Sequence, residues 1–189
     1  VEEEWTTFIN PGKHIPEFIT GLTGISDVEV RGAPKFLDVV QDLEAFVGNA
    51  PVVGHNVRFD LGFLQKGGIL QYNEVIDTYE LAAVLMPTAS RYNLGALGKQ
   101  LGVLLPATHR AMDDAKVTMV VLNKLIEMAH ELPLEVIADI VRLSEPLDWD
   151  ANYIFHEVLK AKAKEGIKPK KTTKQSTPPA WTVNSEIPP

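Results

Sequence analysis

The chain has 189 residues, 45% of them hydrophobic, which is enough to fill the core of one ordinary domain and excludes global disorder. No apolar run approaches the ~20 residues that span a bilayer, and the absence of cysteine removes disulfides, thiol catalysis and thiolate metal sites together. Seven lysines against two glutamates put +5 on residues 160–189, so residues 1–159 carry −12 of a total of −7. A body this acidic binds polyanions poorly unless something reverses the sign locally, and divalent cations are the direct means. The lack of cysteine suits a reducing compartment, and a cytoplasmic location is expected.

In chain order, Trp5-Thr6-Thr7-Phe8-Ile9 has the aromatic and β-branched content of a strand, closed by the turn Asn10-Pro11-Gly12. Residues 14–33 read as a loop containing Gly21-Leu22-Thr23-Gly24-Ile25. Pro34 stands where a helix would begin. Phe36, Val39, Val40, Leu43, Phe46 and Val47 then recur at helical spacing, and Gly48 stops the run. Pro51-Val52-Val53-Gly54 is a short apolar segment between breakers, hence a buried strand. After the turn at His55-Asn56, Asn56 is positioned to cap a helix through Leu64.

A strand near Val75-Ile76 leads into a helix with Leu81 and Leu85 inward, ended by Pro87. Asn93 caps a further helix carrying Leu94, Leu97 and Leu101, with Gly102 as its stop. Longer helices are expected near 113–130, 134–144 and 151–163. Strands alternating with helices argue for an α/β fold. From about residue 165 the composition is that of a basic Pro/Lys/Thr-rich tail or linker.

Two aspartates fall on apolar faces. Asp60 lies three and four residues before Phe63 and Leu64 and shares their side of the helix. In the 113–130 helix, Val117, Val121, Leu125 and Met128 form one stripe at about 100° per residue; Asp114 falls within it and Asp113 at its edge. A carboxylate aimed at a core must cap, pair, protonate or bind a metal. Capping is the ordinary reading of either residue alone. The company argues for more: His55 and Asn56 precede Asp60 directly after a buried strand, and His109 precedes Asp114 by five residues. Hard cations prefer carboxylate oxygens, and a nearby imidazole can accept a proton from water.

These residues resemble the DnaQ-like 3′–5′ exonucleases of the polymerase III ε type. His55-Asn56-Val57-Arg58-Phe59-Asp60 matches the family's second motif, H-N-x-x-F-D. His109 through Ala115 looks like its third, H-x-A-x-x-D-A, with the spacing of the branch that uses histidine as base. Phe8 to Gly12, Leu22 to Ile25, Asp77-Thr78 and Asn93-Leu94 resemble segments between motifs. The resemblance covers about residues 4–130. It implies a ribonuclease H-like fold, a mixed sheet flanked by helices, hydrolysing phosphodiesters from a 3′ end with two divalent cations, Mg or Mn. It further implies Asp60 and Asp114 at the metal site and His109 as general base. Thr23, Gly24, Ile25, His55, Asn56 and Phe59 would hold the substrate.

The family's first motif, D-x-E-T, is absent, and Glu2, Glu3 and Glu4 run straight into the expected edge strand. The Val1 start therefore reads as a truncation that removes the first strands and two metal-site carboxylates. Residues 1–130 are expected to form the exonuclease domain, 131–164 a helical connector, and 165–189 the tail. The connector resembles that of proteins fusing this exonuclease to a DinG-type helicase, with tethering to a DNA polymerase as the competing context. The expected substrate is the 3′ end of single-stranded DNA, or of RNA, with no membrane partner. The expected function is exonuclease activity that this fragment alone does not show. The alternative is a non-catalytic nucleic-acid-binding or interaction module with the same fold.

Overall fold

In a computed structural model, which describes residues 3–104 and 110–166, Val52-Val53-Gly54 and Val75-Ile76-Asp77 pair as parallel strands β1 (Val52–Gly54) and β2 (Val75–Asp77). Val52 lies opposite Val75, Val53 opposite Ile76, and Gly54 opposite Asp77. Parallel neighbours need a crossover, supplied by helix α4 (Val57–Leu64) and a 3₁₀ turn at Gln65–Gly67. Among the described residues these two strands are the whole sheet. Two expectations are corrected here. The described sheet is parallel rather than mixed, and β1 is not fully buried, because Val53 stays 37% exposed.

Trp5 to Ile9 forms no strand. Strand propensity is realised only against a partner ladder, and this segment instead lies along helices. Trp5 packs toward Phe46 with ring centroids 6.4 Å apart, Glu4 pairs with Lys116 at 2.9 Å, and the Asn10 N–H donates to the Pro34 carbonyl at 2.8 Å.

Residues 14–33 are not a loop. They form helices α1 (Glu17–Thr23) and α2 (Asp27–Val30). Ser26 and Glu29 close a capping box on α2, and the Ser-x-x-Glu spacing that makes it was present in the sequence. Gly24, at φ 69°, ends α1 with its N–H on the Thr20 carbonyl. Phe18, Ile19 and Leu22 of α1, with Ile15 just before it, recur at helical spacing, yet none of the helix's residues is buried. Helix α3 (Phe36–Val47) lies where expected, and Gly48 ends it by donating to the Glu44 carbonyl.

Helices α5 (Thr78–Leu85) and α6 (Leu94–Gln100) follow β2. Asp77 caps the first through the Tyr79 N–H at 2.8 Å. Asn93 caps the second through Ala96 at 2.9 Å. Helix α7 (Ala111–Glu131) presents Val117, Val121, Leu125 and Ala129 as a buried stripe. Helices α8 (Leu134–Ser144) and α9 (Asn152–Gly166) complete the described chain.

Two cores result. A small one gathers Val40, Val57, Leu61, Ile69 and Leu70 between α3 and α4. The larger one joins Leu81, Leu97, Val121 and Leu125 to Ile137 of α8 and Phe155 of α9. Phe155 is fully enclosed, and burial of such a side chain stabilises by roughly 1.5–3 kcal/mol. Helices α8 and α9 therefore share one core with α5, α6 and α7.

Candidate active site

The site begins where β1 runs out. Gly54 is followed by a turn so tight that a Cβ at this position would lie 2.7 Å from the Val57 Cβ. Only glycine permits that approach. The Thr78 hydroxyl donates to the Gly54 carbonyl at 3.1 Å. With its one proton so used, Thr78 Oγ1 accepts from His55 Nδ1 at 2.9 Å. The end of β1 is thus tied to the start of α5.

Helix α4 starts at the expected place but is capped differently. Asn56 adopts a left-handed conformation (φ 59°, ψ 45°) and its side chain makes no capping bond. The cap comes from across the sheet: the Asp77 carboxylate accepts from the Asn56 N–H and the Val57 N–H, each at 3.0 Å. A buried carboxylate meets two orphan amides of a helix N-terminus, which satisfies both groups.

An open cavity of 750 Å³ lies between β1, α4, the start of α6 and α7. Its wall includes His55 and Asp60 from the H-N-x-x-F-D segment and Asp114, Ala115 and Thr118 from the other. Two carboxylates far apart in sequence thereby face one space. Asp60 is exposed at this wall, yet partial desolvation, and then the nearby Asp77 charge, push its carboxyl above the ordinary aspartate range. On α4 the buried residues are Val57 and Leu61. Phe63 is 57% exposed, so Asp60 flanks the apolar face rather than sharing it with Phe63. On α7, Asp114 lies half-buried at the head of the Val117–Val121 stripe, as its spacing indicates.

The His55 imidazole is held below the usual histidine range by burial, against the opposing pull of Asp77 and the Tyr92 carbonyl. Its Nε2 is enclosed and, among the described residues, makes no hydrogen bond of regular geometry, and its ring meets Tyr79 edge-on at 5.9 Å. Neutral imidazole therefore dominates near pH 7.

The other expected site residues do not line this cavity. Phe59 is 71% exposed and makes a T-shaped pair with Phe63 at 5.4 Å. Thr23, Gly24 and Ile25 form the turn at the end of α1, where Thr23 Oγ1 donates to the Ile19 carbonyl at 2.8 Å and accepts from Ile25 N–H at 3.2 Å. Asn56 contributes backbone to the α4 turn, and His109 falls outside the described residues. For a hard cation, the donors fit in kind. Their number is short: among the described residues, no group of three or more His, Asp or Glu could hold a metal ion.

Two features carried no sequence signal. Asp77 stood out only as the start of a helix, not as the cap of another one. Arg58 forms a bidentate pair with Asp150, 92 positions away, which no local spacing announces.

Comparison with known proteins identifies the family. A family model described as exonuclease, RNase_T, matches residues 1–122. The chain is 34% identical over 177 residues to a PolC-type DNA polymerase III of Clostridium perfringens, covering 89% of this chain and 12% of that protein. It is 35% identical over 160 residues to the 3′-5′ exonuclease DinG of Bacillus subtilis, covering 82% and 17%. For DinG of Staphylococcus aureus the values are 32% over 163 residues, with 84% and 18% covered. The chain thus spans less than a fifth of each of these relatives. With its two motif segments on one cavity, the chain belongs to the RNase_T (DnaQ-like) exonuclease family, homologous to stretches of PolC and DinG.

Proposed function

We propose that this chain is the body of a metal-dependent 3′–5′ exonuclease, with a ribonuclease H-like fold, that hydrolyses phosphodiesters at the 3′ end of single-stranded DNA. RNA ends offer the same chemistry. The observation that carries the reading is the meeting of Asp60 and Asp114 on one cavity at the C-terminal end of β1. In α/β sheets this is the usual edge for a ligand.

Asp60 and Asp114 would hold divalent cations, Mg or Mn, together with oxygens from other groups. When bound, such cations lower the pKa of a water and offset phosphate charge. His109 takes the proton of the attacking water as general base. Phe59 offers its exposed face for stacking on an unpaired base. His55 lines the cavity, and Thr23-Gly24-Ile25 and Asn56, which stand off its wall, would contact the nucleotide outside it. Residues 1–130 carry the motif segments, and 131–164, packed on the same core, lead toward a polymerase or helicase region. Residues 165–189 form a basic tail.

The two-carboxylate donor set favours one further reading, a nucleic-acid-binding module without catalysis. A single assay separates them. The full-length protein is given a 5′-labelled single-stranded oligonucleotide with Mn²⁺ or Mg²⁺. A ladder shortening from the 3′ end, lost in Asp114→Asn and slowed about 10²–10⁴-fold in His109→Ala, supports the exonuclease. Oligonucleotide binding without cleavage supports the module, and internal cuts overturn the 3′ direction.

A further inference from the structure

Arg58 stands in the first turn of α4, between buried Val57 and exposed Phe59. Its guanidinium reaches the loop between α8 and α9. Nε donates to Asp150 Oδ2 at 2.5 Å and Nη2 to Asp150 Oδ1 at 2.7 Å, the fork geometry of a bidentate pair. The Asp150 side chain is only 5% exposed, and a charge so enclosed requires a close partner. Its backbone is held as firmly. The Asp150 N–H donates to Glu80 Oε2 at 3.1 Å, and its carbonyl accepts from the Asp77 N–H at 3.2 Å. Asp77 in turn caps α4. A second Arg58 contact, to Asp148 at 3.1 Å, involves a carboxylate 89% exposed and adds little.

We propose that Arg58 and Asp150 are a positioning pair, which fixes the first turn of α4 and with it Asp60 and Phe59. Helices α8 and α9 then belong to the frame of the site, although the family match ends at residue 122. Helix α4 is eight residues long and is gripped at its start in two ways. Asp77 holds its amides, and Asp150 holds its first charged side chain. Removing the second grip lets the helix tilt about the first. A misplacement of about 1 Å at a reacting group costs on the order of 10²-fold in rate. The functional part of this inference rests on the exonuclease reading of the cavity.

The test uses the full-length protein with Mn²⁺ and a 5′-labelled oligonucleotide. Asp150→Asn and Arg58→Gln are expected to lower kcat about 10–100-fold while KM stays within about twofold. Arg58→Lys, which keeps the charge but loses the fork, should recover part of the rate, and Asp148→Asn all of it. Hydrogen exchange of the same variants in EDTA should speed up at amides 58–64 and remain unchanged in α3 and in the 121–129 part of α7. Unchanged kcat, or faster exchange spread evenly over α3 and α7, would overturn the proposal. If the wild-type protein does not cleave, the exonuclease reading fails on its own, and the exchange pattern alone decides whether the pair positions α4.

Discussion

The carboxylate of Asp77, the last residue of β2, accepts the backbone N–H of Val57, the first residue of α4, at 3.0 Å. The same side chain accepts from Asn56 and Tyr79, so one aspartate caps both α4 and α5. It is 4% exposed. Replacing it with alanine strands up to three amide donors, each costly when buried. Asp77→Ala is expected to lower stability by about 1–3 kcal/mol. Urea unfolding checks this; a change under ~0.5 kcal/mol would show that water replaces the cap without loss.

Stability should also fall in mild acid because of His55. Burial depresses its folded-state pKa below the ordinary value of 6.5, so the unfolded chain binds the proton first. The stabilisation is therefore present above about pH 6.5 and is lost as pH falls toward the folded value. Asp60 acts in the opposite direction, since desolvation raises its pKa. Melting temperatures between pH 5.5 and 7.5 should decline on the acid side for the wild type and less so for His55→Gln. Parallel curves would assign the acid sensitivity to other groups.

Asp114→Asn should separate a metal role from a structural one. The residue stands in the first turn of α7, where a negative charge interacts favourably with the helix dipole. That favourable interaction is worth about 0.3–1 kcal/mol at most sites, so the variant should melt close to the wild type in EDTA. Mn²⁺ titration of the full-length protein should show weakened binding. Intact Mn²⁺ affinity with a lowered melting temperature would leave Asp114 as a dipole partner only.

The 189-residue chain by itself is expected not to cleave a 3′ end. Two carboxylates on the cavity among the described residues leave a hard cation, which takes six or more oxygens, mainly to solvent. Among the described residues, strand β1 also pairs on one side only, and an open strand edge invites self-association. A nuclease assay with Mn²⁺ alongside size-exclusion chromatography gives the answer. Metal-dependent 3′ cleavage by a monodisperse monomer would mean that other acids complete the site.

Local chemistry made much of this protein legible in its sequence. Phe36 to Val47 and the Val117–Val121–Leu125 stripe repeat at helical spacing, and Gly48, Asn93 and Gly102 punctuate the chain through φ preference and capping. Both act over a few residues, so they survive without tertiary context. The motif spacing that places Asp60 and Asp114 on helices is of the same kind. Where the signal was not local, the reading failed. Trp5 to Ile9 has strand composition but no ladder to join. Helix α1 has apolar residues at helical spacing but buries none of them, and Phe63 faces outward although its spacing matches Asp60. Only the tertiary structure put Asp77 on the amides of α4 and Arg58 on Asp150. The energy of those contacts depends on desolvation and on chain segments brought together by folding, and neither is encoded in a neighbour's identity.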